Sequence, residues 1–372
     1  MNKRKEEQRN ENQNEKILRK NKKSLFIKTF LISLIVILVL FISGVVILRG
    51  MVKPPAIAQN NEQNIPTFED SAFLPPNGDE RDISIGGGLN DPEGFTIADR
   101  KEQFYTFLII GLDKGINTDT IMLASYDGIL KEANIISVPR DSMVNVKRKI
   151  KKINAAYPAG TLNGGGLEGG INQLKREIKT IIGFVPDFYA CVDLDAFVKI
   201  IDAVGGVNIN VRSDMNYDDP TQNLHINIKK GEQPMDGEKA LKFARYRKGN
   251  DPRTTITDYQ RMENQQALVK ALFNKLLKPA NILKIPEFIK IFNEHVYSDI
   301  KPENMLWFAE QLNKIKGTEA LSTYTMPTKG TSGLPMYYEY LDETAIVDLI
   351  NKTINPYKKD ISTRNLDIIV GD

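Results

Sequence analysis

Residues 244–266, ARYRKGNDPRTTITDYQRMENQQ, set Arg245 and Arg247 two apart and follow them with Asp258, Arg261, Gln265 and Gln266. Planar guanidinium forks bind phosphate oxygens two at a time, so arginines at the ends of structural elements suit a phosphate or diphosphate. A solvated positive face is the plain alternative. In IIGLDKGINTDTIML, Asp113 ends one apolar run and Asp119 precedes the next. Two carboxylates at strand ends can share a hard cation such as Mg²⁺, which keeps waters for a phosphate to replace. Simple turn capping explains the same spacing. SVPRDSMV places Arg140 and Asp141 at a Pro turn, either a site or a structural pair. KRKIKKINAAYPAGTLNGGG is basic around Lys152 and runs into glycines, but it lacks the G-x-x-x-x-G-K-[ST] spacing, so ATP is not implied. The two histidines, His225 and His295, lie in unrelated segments, which argues against a Ser-His-Asp triad or a His-rich zinc site.

The elements that must hold these groups read as α/β. FYTFLIIGLD, TIMLASYD and EANIISVPRD are apolar strand runs, each closed by a turn or a charged cluster. GLEGGINQLKREIKTIIG reads as a helix, DFYACVDLD as a strand, AFVKIIDAVG as a helix ended by Gly205 and Gly206, and VNINVRSD as a strand. The spacing predicts a helix over MDGEKALKFA capped by Asp236, with Arg245 and Arg247 leaving it in extended geometry and facing the same way. YQRMENQQALVKALFNKLLK is a strongly amphipathic helix. PENMLWFAEQLNKI and DETAIVDLINKTI are two more, separated by the strand-like ALSTYTMP. Strands alternating with helices indicate a layered α/β architecture.

The 372 residues are 41% hydrophobic, enough for a sizeable core, and the net charge of +3 gives no bulk argument for a nucleic-acid partner. Residues 1–28 are polar, Lys-rich and Asn-rich and read as a disordered tail. Residues 29–49 contain FLISLIVILVLFISGVVIL, long enough for a bilayer core at ~1.5 Å per residue. Arg19, Lys20, Lys22, Lys23 and Lys28 crowd its upstream flank, so the N-terminus is expected in the cytoplasm and the remainder outside the cell. The apolar run exceeds a usual signal-peptide core and no Ala-x-Ala site follows closely, against cleavage. Residues 50–100, rich in Pro, Gly and Asn, read as a tether. The one cysteine, Cys191, can make no internal disulfide, so a hydrophobic core must hold the domain together.

The basic tail, the span and then FLIIGLDKGINTDTIMLASYD, IISVPRDSMV, KKINAAY, FYACVDLDAFVKIIDAVGGVNINV, LHINIKKGEQPMDGEKALKFARYRKGND and DYQRMENQQ, in that order, resemble the LytR-CpsA-Psr family over about residues 104–355. The resemblance implies a mixed central β-sheet flanked by helices over 101–357, and residues 358–372, polar except for LDIIV, read as a C-terminal tail. It implies a cell-membrane, single-pass, Mg²⁺-dependent phosphotransferase of Gram-positive walls, with Mn²⁺ as the alternative ion and lipid pyrophosphatase activity on the side. Such enzymes move a glycopolymer (wall teichoic acid, capsular or secondary wall polysaccharide) from an undecaprenyl diphosphate carrier to peptidoglycan, forming a phosphodiester.

Carried over by motif, Asp113 and Asp119 sit near the metal and the diphosphate. Arg140, Lys152, Arg245, Arg247, Asp258, Arg261 and Gln265 match the remaining site positions. Asp119 is the first candidate for the base and Asp141 the second, and the apolar faces of AFVKIIDAVGGV and ALVKALFNKLL are candidates to line a lipid groove. Two positions depart from the family pattern: Asn117 and Asn264 stand where arginine is common, with Lys114 a candidate to compensate and Arg253 a candidate extra contact. These departures keep open a non-catalytic regulator that binds polyprenyl phosphates.

Overall fold

The computed structural model describes residues 54–57, 97–113, 117–222, 224–282, 284–312, 314–315, 317–333 and 336–369. The expected tail 1–28, the span 29–49, most of the linker 50–100, and Lys114 lie outside the described residues. Among the described residues no helix is long and apolar enough to cross a membrane.

Strands β1 (Phe104–Asp113), β2 (Asn117–Asp127), β3 (Glu132–Ser137), β4 (Phe188–Val192), β9 (Val296–Ser298) and β10 (Leu321–Thr325) form one sheet in the order β10-β3-β2-β1-β4-β9. Pairs β1/β2, β2/β3 and β4/β9 are antiparallel, while β1/β4 and β3/β10 are parallel. The mixed sheet expected from the sequence is therefore present. Leu108, Ile110 and Leu112 of β1 enter the main core with Ile171, Leu174 and Ile178 of helix α1 (Gly166–Ile182) and Ile346 and Ile350 of α7 (Glu343–Thr353). On the other face Ile109 and Ala124 pack with Met122, Ile135 and Leu321 against Val269 and Phe273 of α4 (Asp258–Leu276). Helices on both faces account for strands that read as nearly unbroken apolar runs. Leu108 and Ile110 are fully buried, so truncating either to Ala costs about 2–5 kcal/mol.

A second core lies beside the sheet. Helix α2 (Leu194–Ala203) is capped by Asp193, which accepts from Ala196 N at 2.7 Å, and is stopped by Gly205 and Gly206 at φ 76° and 70°. Helix α3 (Gly237–Arg245) is capped by Asp236. Ile201, Phe243, Tyr246 and Leu268 pack there with β5 (Val207–Val211), β6 (Met215–Asp219), β7 (Leu224–Ile228) and β8 (Gly231–Met235), which pair as β5/β8 and β6/β7. Helices α5 (Ile285–His295) and α6 (Pro302–Leu312), the hairpin β11 (Thr328–Ser332) with β12 (Tyr338–Leu341), and short helical turns such as Ala156–Gly160 and Pro279–Ile282 are also present.

Several sequence expectations need correction. The stretch from 358 is no free tail: Ile361 and Leu366 are buried in the main core, and Asp367 N donates to Thr180 O at 2.7 Å. The domain also starts before 101, because Arg100 pairs with buried Asp187 at 2.7 Å and Lys358 N donates to Asp99 O. The glycine-rich stretch after Lys152 is helical, with Thr161–Gly165 a π-helical turn leading into α1. Arg245 is the last residue of α3, so the extended stretch begins at Tyr246.

Candidate functional site

The strand β1 ends in Gly111-Leu112-Asp113, and its partner begins with Asn117 to Thr120. Pairing passes from Gly111↔Thr120 to Leu112↔Thr118, which leaves Asp119 as the extra residue of a bulge. A bulge bends a strand and re-aims its side chain, here at the end of the central hairpin. Gly111 is required for this close approach, since a Cβ there would lie 2.9 Å from Thr120 Cβ. The Pro turn after β3 then delivers Arg140 and Asp141. Arg140 Nη1 donates to Asp119 Oδ1 at 3.2 Å, and its Nε lies 3.3 Å from Asp258 Oδ2 and 3.8 Å from Asp141 Oδ2.

Lys152 arrives by backbone pairing: Ile153 N donates to Ser142 O and Asn154 N to Arg140 O. Its ammonium donates to Asp141 Oδ1 at 2.8 Å. Arg148 holds this loop from behind, donating to Lys152 O at 2.7 Å while it forks onto buried Glu177 of α1.

The opposite wall comes from the second core. Tyr246 is fully buried, and its hydroxyl donates to Thr254 O at 2.9 Å. Ile256 N donates to Arg247 O, closing the 247–256 loop. With Tyr246 pinned inward, Arg245 Nη2 lies 3.8 Å from Asp113 Oδ2 and Arg247 Nε 3.5 Å from Asp258 Oδ1. Helix α4 opens with a capping box, Thr257 Oγ1 accepting from Gln260 N and Gln260 Oε1 from Thr257 N. That cap fixes Asp258 in the first turn, with Arg261 Nη2 3.6 Å from its Oδ1. Burial works against the Arg261 charge, opposed first by Asp258.

Arg140, Asp119, Asp141, Lys152, Asp258, Arg247 and Arg261 thus form one ion-pair network and Arg245 with Asp113 a separate pair, and Gln265 lines the adjoining groove with Asp113, Asp119 and the four arginines. Arg253 is not brought there; it is 89% exposed and pairs with Asp251. Asn264 is buried, whereas Gln266 donates to Ser137 Oγ, Tyr324 O and Thr325 Oγ1 and ties α4 to the sheet. His225 and His295 pair elsewhere, with Asp218 and with Lys199 and Glu294. Burial pushes the Cys191 thiol up to about 12, so it is no nucleophile.

Charge pairing in the cluster is loose. Asp113 Oδ1, Arg140 Nε and Arg261 Nε are buried without a hydrogen-bond partner. Buried polar atoms left unpaired are costly, and such atoms at a cleft are where a ligand gains most. Behind the charges runs a groove of about 450 Å³ whose deeper walls include Ile109, Met122, Phe197, Leu241, Val269 and Leu272. Both helical faces proposed from the sequence contribute to it, Phe197 and Ile201 from one and Leu268, Val269 and Leu272 from the other.

Among the described residues no group of three or more His, Cys, Asp or Glu gathers as a metal cage. The orphaned Asp113 Oδ1 and the bulge-directed Asp119 still fit a hard divalent ion of the kind that takes one or two carboxylates and fills its shell with water and phosphate.

Glu339 of β12 also stands at the site. It is buried, shares a small cleft with Arg140, Asp258 and Arg261, and accepts from Tyr259 at 2.8 Å and Tyr337 at 3.3 Å. Burial raises its pKa, the two phenols pull it back, and Asp141 and Asp258 raise it further. No local pattern in the short YEYL strand announces this role.

The LytR_cpsA_psr family model matches residues 83–355. The regulatory protein MsrR of Staphylococcus aureus (strain COL) is 30% identical over 233 residues, 61% of this chain and 65% of MsrR. The polyisoprenyl-teichoic acid–peptidoglycan teichoic acid transferase TagV of Bacillus subtilis (strain 168) is 29% identical over 217 residues, 55% of this chain and 52% of TagV. The chain thus spans about half to two thirds of the length of these relatives. The B. subtilis TagV crystal structure superposes with a TM-score of 0.56 at 25% identity, covering 67% of this chain and 95% of that one.

Proposed function

This chain belongs to the LytR-CpsA-Psr family, and we propose that it is a transferase that takes a glycopolymer from a polyprenyl diphosphate carrier and joins it to peptidoglycan. One observation carries the reading: a loosely paired cluster of arginines and carboxylates stands at the mouth of an apolar groove. An isoprenoid tail needs the groove and a diphosphate needs the arginines. TagV, the relative named as a teichoic acid transferase, supports the same direction. The apolar run at 29–49 and its basic upstream flank support a single-pass protein whose domain faces outward.

Arg140, Lys152, Arg245, Arg247 and Arg261 set against Asp113, Asp119, Asp141 and Asp258 leave one net positive charge, counted without Glu339. A diphosphate diester brings about two negative charges, so the protein alone does not balance it. Asp113 and Asp119 would hold Mg²⁺, which when bound neutralises part of the phosphoryl charge. The arginines grip the non-bridging oxygens and fix the two phosphorus atoms. A hydroxyl of the acceptor attacks the glycan-side phosphorus: a new P–O bond forms, the bond to the bridging oxygen breaks, and polyprenyl phosphate leaves. Asp119, 41% exposed, takes the hydroxyl proton in preference to Asp141, which is more enclosed and bound by Lys152.

The full-length protein in detergent, given a polyprenyl diphosphate-linked sugar and peptidoglycan fragments, should release polyprenyl phosphate and attach the sugar to the acceptor. Arg140→Ala should lower that rate by ~10²–10³, the cost of losing one charge-stabilising donor. Tight binding of an intact lipid, with no turnover at any Mg²⁺ concentration, would instead favour a regulator that binds polyprenyl phosphates. Asn117 and Asn264, standing where the family commonly has arginine, are the observation behind that second reading.

A further inference from the structure

The charged centre has two flanks, and the apolar groove occupies one. On the other stands a group of tyrosines that no part of the proposed chemistry uses. Tyr259 and Tyr337 are 39% and 47% exposed, so their rings add little to any core. Their hydroxyls nevertheless converge on the same buried carboxylate, Tyr259 on Glu339 Oε2 and Tyr337 on Glu339 Oε1. Tyr259 is further tied to Thr328 Oγ1. Glu339 is stitched to the Pro-turn loop, its N–H donating to Asp141 O and its carbonyl accepting from Met143 N. Lys152 Nζ lies 5.9 Å from the ring centroids of both Tyr337 and Tyr338 while it donates to Asp141. Tyr259, Tyr337, Tyr338 and Glu339 are absent from the walls of the groove.

Burying a carboxylate is expensive. Spending it on two exposed rings makes little sense as core packing, but it pins both rings at their hydroxyl ends and presents them rigidly beside Arg140 and Asp141. Rigid aromatic rings with polar groups at their edge suit a ligand whose faces are C–H and whose rim is hydroxyl, which describes a pyranose. We propose that Tyr259 and Tyr337, held by Glu339, form the platform on which a sugar ring of the acceptor glycan stacks. The assignment rests on the transferase reading for the word acceptor, though not for the binding itself. A sugar on this platform adjoins Lys152 and Asp141 and lies beside Arg140, which holds the proton-accepting Asp119.

The test is calorimetric titration of the full-length protein in detergent with a β-1,4-linked N-acetylglucosamine tetramer, in the absence of lipid. Saturable binding should weaken about five- to tenfold in Tyr337→Ala and recover only in part in Tyr337→Phe, which keeps the ring but loses its tie to Glu339. In turnover, Tyr337→Ala should raise KM for the peptidoglycan fragment and leave KM for the lipid-linked sugar unchanged. The proposal is overturned if Tyr337→Ala binds the tetramer as the wild type does, if the wild type fails to bind it while still binding a polyprenyl diphosphate, or if the rise in KM falls on the donor. Should turnover be absent from every variant while tetramer binding still depends on Tyr337, the platform stands and the transferase reading fails.

Discussion

Asp258 sits 3.3 Å from Arg140, 3.5 Å from Arg247 and 3.6 Å from Arg261, and so organises three of the four site arginines. Asp258→Asn keeps its shape and removes its charge. The contacts differ in worth: Arg247 is 45% exposed, so its share is about 0.5 kcal/mol, whereas the more enclosed Arg140 and Arg261 contribute about 1 kcal/mol each. Loss of a carboxylate from the first turn of α4 removes a further ~0.3–1 kcal/mol of interaction with the helix terminus. Asp258→Asn should therefore destabilise the ligand-free protein by about 3 kcal/mol, or ~6–12 °C in Tm for a domain of this size. The same change adds one net positive charge to a cluster that already carries one, so farnesyl diphosphate should bind more tightly and raise Tm further in the variant than in the wild type. Thermal unfolding of the full-length protein with and without farnesyl diphosphate measures both effects. An unchanged Tm, or a smaller ligand-induced rise in the variant, would refute the view that Asp258 stands in for part of the substrate charge.

Three further outcomes follow from individual contacts. Leu272→Trp narrows the groove and should raise KM for a long-chain polyprenyl diphosphate far more than for a short-chain one; equal effects on both would remove the lipid from the groove. Glu177→Gln leaves Arg148 charged, 14% exposed and without its carboxylate, and should cost about 3 kcal/mol in a urea melt, while Glu177→Met with Arg148→Met should cost less. Because burial raises the Glu339 pKa above 4.5, its folded state holds the proton more tightly than the unfolded chain does. Its contribution to stability is then fully present below that value and is lost as pH rises through the raised one. The Tm advantage of Glu339→Gln over the wild type should accordingly grow as pH rises from 4.5 and then level off; an advantage that shrinks with pH would contradict the sign.

What the sequence disclosed tracks the range of each interaction. The strand β1, the Asp236 cap and the extent of α4 rest on neighbours within a few residues and lie where the local pattern puts them. Helix α4 is not the one-faced amphipathic helix expected, since Leu268 and Leu272 pack into the second core and Val269 and Phe273 against the sheet. The T-x-x-Q box at Thr257 was equally local and could have been read. The R-Y-R spacing misled about Arg245: the helix runs one residue further than supposed because Tyr246, not the arginines, sets where the chain turns. The bulge at Asp119 depends on a register between two strands, and the Glu339 platform depends on a hairpin stitched to a loop almost 200 residues away in the chain. No window of sequence holds both halves of either arrangement. Ile361 stands alone among polar neighbours and Leu366 opens only the short run LDIIV, too little pattern to show that the main core ends on them.

The site lies along the seam between the two cores, and its charges are divided between them. The sheet side contributes Asp113, Asp119 and Asp141 with Arg140 and Lys152; the second side contributes Arg245, Arg247 and Arg261 with Asp258. An acid-rich wall therefore faces an arginine-rich one, and the pairs Arg140–Asp258 and Arg245–Asp113 cross between them at 3.3 and 3.8 Å. Shorter, fully hydrogen-bonded pairs would hold the seam shut, since breaking a buried pair leaves an uncompensated charge costing about 3–5 kcal/mol. Longer separations would leave arginine facing arginine with nothing to screen the repulsion. Contacts at these lengths keep the ligand-free protein folded while leaving Arg140 Nε, Arg261 Nε and Asp113 Oδ1 without hydrogen bonds. An anion entering the seam exchanges one set of ionic contacts for another and gains the hydrogen bonds that the protein alone does not make. The groove behind, built from Ile109 and Met122 on one side and Phe197 and Leu272 on the other, would let an apolar tail follow a charged head along the same seam.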